Sequence, residues 1–331
     1  MKAACYDERG NAQDVLIVRD MPKPVPGDGE VLVRLHATGV NPSDTKARAG
    51  KRSRNAAFKT VIPHQDGAGI IEAVGKAVDP GRVGERVWLY EAQLGRPFGC
   101  AAQYTSVPSA NAVPLPDTTS YEEGACLGVP AITAHYCVSA DGPVRGKVIL
   151  VTGGAGAVGF YAIQFAKLEG AKVISTVRTQ EQARIAEIAG ADLIVFRETD
   201  DICSRIAEFT GEQDGRGVDR IIEVALGANL ATSARVLKRN GVIAAYASDR
   251  DPAPALPFHE LLALNATIRC VLVYSTTQQD HAKAVDAITR ALKEHKLKHN
   301  IGRRFTLDQI IDAHLAVEAG TAGGKAIITI E

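Results

Sequence analysis

The chain has 331 residues, of which 46% are hydrophobic and 23% charged, the balance of a folded globular protein long enough for two cores and not of a disordered one. Lys plus Arg and Asp plus Glu both number 38, so there is no broad basic field of the kind that binds nucleic acid or anionic lipid. The start, MKAACYDERG, has charges where a secretion signal needs an apolar core, and no run approaches membrane-spanning length. A cytoplasmic protein with neither a nucleic-acid nor a membrane partner is expected. The six cysteines (Cys5, Cys100, Cys126, Cys137, Cys203 and Cys270) are scattered without a C-x-x-C pair and read as reduced thiols, not as a disulfide framework or a zinc cage.

In chain order, residues 1–124 contain short alternating runs, such as 30–37 (EVLVRLHA) and 68–74, separated by Gly and Pro clusters at 22–29 and 79–84. This pattern predicts a mostly β domain built around a compact barrel. From about residue 122, helical spacing alternates with apolar runs at 148–152, 172–177, 193–196, 218–223, 241–245 and 268–274. Six such strands predict a doubly wound parallel sheet. The tail predicts helices over 280–295 and 307–319 and a closing strand over 326–330. It is expected to return to the first domain, giving a domain of 1–124 with 275–331 and an inserted domain of 125–274, with the substrate cleft between the two bodies.

The most informative segment is VILVTGGAGAVGFYAIQFAKLEGAK at 148–172. A β-branched run leads into Gly153, Gly156 and Gly159, after which Val158, Ala162, Phe165 and Ala166 recur at helical spacing. A strand that turns tightly into a helix presents free N–H groups, here those of Ala157 and Val158, and a positive dipole end to a pyrophosphate. Gly153 and Gly156 let the backbone turn and approach the phosphates, and Gly159 lets the helix pack closely on its strand. The spacing is GxxGxxG and departs from the GxGxxG of the standard dinucleotide fingerprint.

Eight segments together resemble the zinc-free quinone oxidoreductase branch of the medium-chain dehydrogenase/reductase superfamily, which includes ζ-crystallin. They are GVNPSDTKARAG (39–50), IPHQDGAGIIEAVG (62–75), VGERVW (83–88), GVPAITAHY (128–136), GGAGAVG (153–159), GVDRIIEVALGANL (217–230), NGVIAAYAS (240–248) and GGKAIITI (323–330). The family's own phosphate loop is GxxGxxG. The resemblance implies an α/β fold in which a GroES-like, mostly β catalytic domain carries an inserted Rossmann doubly wound parallel sheet, with a nicotinamide cofactor.

The resemblance also bears on metal. In the relatives that oxidise alcohols, the segment corresponding to 41–44 begins with a zinc-ligating Cys, and the one corresponding to 64–67 has a ligating His where this chain has Gln65. Asn41 and Gln65 are poor zinc ligands. The four-cysteine lobe of those relatives falls between Trp88 and Tyr104, where this chain has only Cys100, so neither zinc is expected. His64 beside Gln65 is expected to serve hydrogen bonding or packing.

NAD enzymes place an acid at the end of the second strand to bind the adenosine ribose, whereas an NADP site needs positive charge for the extra phosphate. The sequence there is STVRTQEQAR, with Arg178 in the acid's place, and Arg197 follows the third strand. Two guanidiniums can share the phosphate dianion, so NADPH is the expected cofactor. The Lys that some family members carry nearby corresponds to Gln182.

The expected reaction is hydride transfer from NADPH to a quinone or α,β-unsaturated carbonyl, with orientation and water exclusion as the protein's main contributions. By the resemblance, Asn41, Asp44, Lys46, Gln65 and Thr133 surround the nicotinamide end. Asn41 and Gln65 donate to a developing oxyanion, and Lys46 stands where a Tyr is common and either supplies a proton or faces solvent. Thr133 and Tyr274 are expected near the ribose or carboxamide, Ser248 after the fifth strand, and Asn229 in a loop approaching the nicotinamide ribose. The alternatives are a crystallin-like NADPH-binding structural or regulatory protein with little turnover and an alcohol dehydrogenase. The stretches 51–60, 91–100 and 249–258 are expected to wall the acceptor site, leaving quinone, enone and acyl-thioester open. The run TIRCVLVYS at 267–275 predicts a long apolar edge strand pairing with its twin in a homodimer or a dimer of dimers.

Overall fold

The computed structural model describes residues 1–51, 58–212 and 215–331. Part of the predicted acceptor wall, residues 52–57, lies outside the described residues. The chain divides into two compact units, Met1–Pro130 with Val285–Glu331, and Ala131–Ala284. All six cysteines are free thiols, and Cys5, Cys100, Cys126 and Cys137 are buried.

The first unit opens with β1 (Lys2–Cys5), β2 (Ile17–Asp20), β3 (Glu30–Val40), β4 (Asp66–Val74), β5 (Arg86–Leu89), β6 (Tyr104–Pro108) and β7 (Ala112–Pro114). The trunk is β3, whose apolar residues Val31, Val33 and Leu35 join Ile62, Ile71, Val87 and Leu89 in the core. β6 pairs antiparallel with its first half, from Glu30↔Pro108 to Arg34↔Tyr104. β4 runs along it from Val31↔Val74 to Gly39↔Asp66, with register shifts between Leu32 and Val33 and between Leu35 and Ala37. Such shifts bend a strand and increase its twist. Gly69 lies opposite Leu35 at the second shift, and a Cβ there would collide with the Arg34 carbonyl and sit 2.9 Å from Leu35 Cα.

The second unit is an all-parallel sheet of β8 (Val148–Thr152), β9 (Lys172–Val177), β10 (Leu193–Phe196), β11 (Val218–Glu223), β12 (Leu237–Ala245) and β13 (Thr267–Cys270). The order is β10-β9-β8-β11-β12-β13. β8 is buried along its whole length, as the β-branched run VILVT requires of a strand covered on both faces. Local chemistry sets the helices between: Thr179 caps Gln180–Ala189, which ends at Gly190 with φ +104°, and Asp201 caps Ile202–Thr210, which ends at Gly211 with φ +75°. The chain runs outward from β8 to β10 and then returns to β11 on the other side of β8. The loops at the carboxyl ends of β8 and β11 therefore diverge, which is where such sheets bind ligands.

The long edge strand expected over 268–274 is not observed. β13 pairs with β12 only from Val242↔Thr267 to Ala245↔Cys270. The Val271 N–H makes one more bond, 2.7 Å to the Ala245 carbonyl, but β12 ends there and offers no further backbone. Residues Val273–Ser275 form a 3-10 turn instead, which carries Tyr274. The apolar edge behind the predicted dimer thus shortens to four residues.

The tail forms the helix Gln278–Lys293, β14 (Ile301–Thr306), the helix Ile310–Glu318 and β15 (Lys325–Thr329), and both strands join the first unit's sheet. β15 pairs antiparallel with the second half of β3, from Ala326↔Val40 to Thr329↔Ala37. Gly69→Ala is expected to lower the unfolding free energy by about 1–3 kcal/mol, read as a reduced urea midpoint at unchanged m value. An unchanged midpoint would mean that β3 can move away from β4 at that shift.

Candidate functional site

At the end of β8, Gly153 takes φ +66°, a left-handed conformation that a side chain disfavours. Its N–H bonds to Thr176 Oγ1 at 3.3 Å, and its carbonyl accepts from Gly156 N–H at 2.9 Å, closing the turn. Gly156 is the N-cap of the helix Ala157–Leu168 and supplies no side-chain cap. The leading N–H groups of Ala157, Val158 and Gly159 therefore lack intrahelical acceptors and form an anion site. A Cβ on Gly159 would collide with Gly153 O and sit 2.9 Å from Gly154 Cα. Gly154, which the spacing passed over, makes the other close approach, because its Cβ would strike Ser175 Oγ and lie 2.7 Å from Ile163 Cδ1.

Arg178 and Arg197 follow the register pair Phe196↔Val177, and the Arg197 N–H bonds to the Val177 carbonyl at 3.0 Å. The fold thus brings both to neighbouring strand ends, each exposed. Neither side chain has an ion pair or hydrogen bond among the described residues. The Gln182 carboxamide accepts from the Arg178 N–H at 2.9 Å, and its own N–H is capped by Thr179 Oγ1 at 3.2 Å.

Across the switch point, Glu223 at the end of β11 is fully buried. It accepts from Ala225 N–H at 2.6 Å, Thr152 Oγ1 at 2.8 Å and Asn229 Nδ2 at 2.8 Å. Asn229 was expected in a loop. It sits instead in the helix Leu226–Val236, where its amide donates to the buried carboxylate six positions earlier, which needs a donor. Ser248 Oγ accepts from Gly227 N–H at 2.9 Å and donates to the Asp251 carbonyl, tying two loops together. Thr133 is buried on the helix Gly128–Ser139, and Tyr274 is half-buried.

In the first unit, Asn41 caps the helix Pro42–Arg48 and is 2% exposed. Asn41 Nδ2 donates to Asp66 Oδ2 at 2.7 Å, and Lys325 Nζ donates to Asn41 Oδ1 at 2.5 Å and to Asp66 Oδ2 at 2.7 Å. The other oxygen of Asp66 accepts from Val129 N–H at 2.9 Å. Asp44 accepts from the Asn41 N–H at 2.8 Å. Burial, reinforced by the negative charge of Asp66 and opposed by Lys325, pushes the Asp44 carboxyl up to about 7.

His64, at φ +80°, stands next to this cluster in sequence and is fully buried. The Thr38 hydroxyl gives its one proton to the Asp66 carbonyl at 2.7 Å, so at 3.2 Å it accepts from His64 Nδ1. His64 Nε2 is then the acceptor for His314 Nε2 at 3.0 Å. Burial holds both imidazoles neutral, His314 down to about 3 with help from the Arg48 charge, and His64 well below its ordinary range with help from His314 and Lys325. Gln65 Oε1 accepts from Gln93 N–H at 3.1 Å, and its amide lies 3.4 Å from Gln93 Oε1. Lys46 is half-buried on the helix Pro42–Arg48, not on a solvated loop. Among the described residues, no three His, Cys, Asp or Glu side chains converge as metal ligands.

Comparison with known proteins fits this arrangement. Residues 27–117 match the alcohol dehydrogenase GroES-like domain, and residues 157–290 match the zinc-binding dehydrogenase family. Human quinone oxidoreductase is 29% identical over 335 residues, covering 100% of this chain and 98% of the relative. A mycobacterial protein solved in complex with NADPH has a TM-score of 0.86 at 28% identity, covering 99% of both chains. The chain belongs to the quinone oxidoreductase branch of the medium-chain dehydrogenase/reductase superfamily. A solved NAD-dependent alcohol dehydrogenase has a TM-score of 0.89 at 27% identity, covering 100% of both chains, so the scaffold serves more than one chemistry.

Within this oxidoreductase framework, sequence reasoning missed Asp66, Lys325 and Glu223. The signal was a charge at a buried strand position: Lys325 opens the apolar strand KAIIT, Asp66 opens DGAGIIEAV, and Glu223 closes VDRIIE. Two motif glycines that had no assigned role, Gly39 and Gly128, belong to the same cluster. A Cβ on Gly39 would lie 3.2 Å from Lys325 Nζ, and one on Gly128 would lie 2.7 Å from Asp66 Cγ.

These shifts fix a pH dependence. Below about 6.5 the unfolded chain protonates His64 and His314 while the folded chain does not, so stability is full above 6.5 and falls toward pH 3 by about 1.4 kcal/mol per pH unit per histidine. Asp44 runs the other way, since its folded form keeps a proton between 3.8 and about 7 that the unfolded chain releases. In His314→Gln the loss of unfolding free energy between pH 6.5 and 4.5 should be shallower than in the wild type by about 1.4 kcal/mol per unit. Parallel profiles would mean that His314 titrates in the folded protein.

Proposed function

We propose that this oxidoreductase is an NADPH-dependent, zinc-independent reductase that delivers hydride to a quinone or an α,β-unsaturated carbonyl. The observation that carries the cofactor choice is the pair of unpartnered, exposed arginines at the ends of β9 and β10, with no carboxylate at the end of β9. Two guanidiniums suit a phosphate dianion, and an adenosine ribose without that phosphate gives them nothing to pair with. The N–H groups of Ala157 and Val158 then receive the pyrophosphate at the helix N-terminus.

When bound, the reduced nicotinamide supplies the hydride. In the first unit, the acceptor side of the reaction falls to Asn41, with Gln65 and Lys46 as further contributors; in the second unit Thr133 is assigned to the cofactor. Hydride addition to a quinone or enone leaves negative charge on the acceptor oxygen, which then takes a proton. Asn41 Nδ2 donates to Asp66 and also bonds to the Asp44 carboxyl, and the N–H on Asp44 is the donor offered to that oxygen when the acceptor takes the place of that carboxyl. Zinc independence is supported by the donor set: the carboxamides of Asn41 and Gln65 are neutral, and the Asn41 oxygen is already taken by an ammonium. The names of the full-length relatives support a quinone as the acceptor.

Mixing the protein, NADPH and a panel of 1,2- and 1,4-quinones and enones should give loss of cofactor absorbance in preparations with substoichiometric zinc. Tight NADPH binding without any decay would refute the assignment. Arg178→Ala and Arg197→Ala should each weaken NADPH binding about tenfold, the effect of losing a charge-assisted hydrogen bond. NADH binding should stay within about twofold. Equal losses for the two cofactors would remove the arginines from the phosphate site.

A further inference from the structure

The hydrogen count around Asn41 closes in only one way. An ammonium has donors only and a carboxylate acceptors only, so the Asn41 oxygen faces Lys325 at 2.5 Å and its nitrogen faces Asp66 at 2.7 Å. Exchanging the two ends of the carboxamide would set N–H against ammonium and carbonyl against carboxylate. Lys325 closes the triangle on Asp66 Oδ2 at 2.7 Å. All three residues are buried, Lys325 at 3% exposure and Asp66 at 0%, so water does not compete for these bonds.

The chain is built to admit this clamp. Gly39 and Gly128 both have ordinary negative φ, so neither is required by backbone conformation. Each instead leaves space: a Cβ on Gly39 would run into the Ala125 carbonyl and Lys325 Cε, and one on Gly128 would run into Asp66 Oδ1. Lys325 thus lies in a channel kept open for its stem, and its head meets two partners at the end of it.

We propose that Lys325 is a positioning residue for the reduction: by clamping Asn41 against Asp66 it fixes the carboxamide with its oxygen on the ammonium and its nitrogen toward the carboxyls of Asp66 and Asp44, the single orientation in which an N–H can be offered to the acceptor oxygen. This inference rests on the reading of Asn41 as the donor in the reaction. Lys325 itself touches neither reactant in this reading and acts only through Asn41.

The test uses the full chain with 15N-labelled asparagine, in which the Asn41 side-chain NH2 pair is identified by its absence from Asn41→Ser. In the wild type, one proton of the pair should be protected from exchange by the Asp66 carboxylate. In Lys325→Met both resonances should shift, and the protected proton should exchange faster. In NADPH-dependent reduction of a 1,4-quinone, Lys325→Met should lower kcat on the order of tenfold, with KM for NADPH within about twofold. In the Asn41→Ser background it should cause no further loss, because both changes remove the same effect. A role confined to stability would leave the Asn41 resonances in place and would lower activity to the same degree in both backgrounds, and either result overturns the proposal. If Lys325→Met does not fold, Asp66→Asn removes the anionic corner at unchanged shape and must move the same pair. A wild type that binds NADPH but reduces no acceptor would refute the assigned function, while the resonance comparison would still decide whether Lys325 sets the carboxamide.

Discussion

The first unit is organised around a buried ion pair, Lys325 with Asp66, and most of what is distinctive in its sequence follows from keeping that pair satisfied. Taking an ammonium and a carboxylate out of water costs several kcal/mol per ion, recovered only when geometry is good and the remaining donors and acceptors are met. Here they are met by Asn41 and by the Val129 N–H. The participants come from the end of β3, the start of β4, the start of the helix Gly128–Ser139 and the start of β15. Each lies in a different sequence motif, and a folded form that failed to bring all four together would leave a charge buried alone. The ion pair is therefore a constraint on topology more than a source of stability.

The second unit solves a similar problem with a single carboxylate. Glu223 ends β11 as Thr152 ends β8, and the hydrogen bonds between them join the two strand ends on either side of the switch point. Asn229 and the Ala225 N–H share the same oxygen, and the Ser233 hydroxyl donates to the other at 3.5 Å. The glycine loop that begins at Gly153 thus starts from a residue held from the neighbouring strand. In both units a fully buried acid at a strand terminus orders the loops around it, while in the second unit the leading N–H groups of a helix and the side chains of Arg178 and Arg197 have no partner among the described residues.

The parts of this architecture that follow local rules were legible in the sequence. The six parallel strands and the tight turn at Gly153 each depend on residues within a few positions of one another. What was not legible depended on pairing partners. The run at 267–275 reads as one strand on propensity alone, but it stops at Cys270 because β12 stops at Ala245. Asn229 reads as a loop residue until the buried Glu223 six positions earlier is recognised as needing a donor. Gly39 and Gly128 were visible as motif glycines, but only coordinates show that the space they leave is filled by Lys325 and Asp66. The same holds for His64: its packing role was expected, whereas the partner that fixes its tautomer, His314, lies 250 positions away.

The relation to the zinc-binding relatives turns on where positive charge sits. A Lewis acid in an alcohol dehydrogenase polarises the substrate oxygen by direct coordination. In this chain the comparable cation is the Lys325 ammonium, which bonds to the far side of the Asn41 carboxamide and not to a reactant in the reading given above. A donor bonded to an amide oxygen draws electron density through the C–N bond and makes the amide N–H a better donor, a cooperative gain of about 10–30% per bond. The effect is far weaker than that of a metal, which suits the acceptor proposed above. A quinone or enone is already electrophilic at carbon and needs its oxygen stabilised only as charge arrives, so a polarised N–H held in place suffices where an alcohol would need its proton removed before hydride could leave.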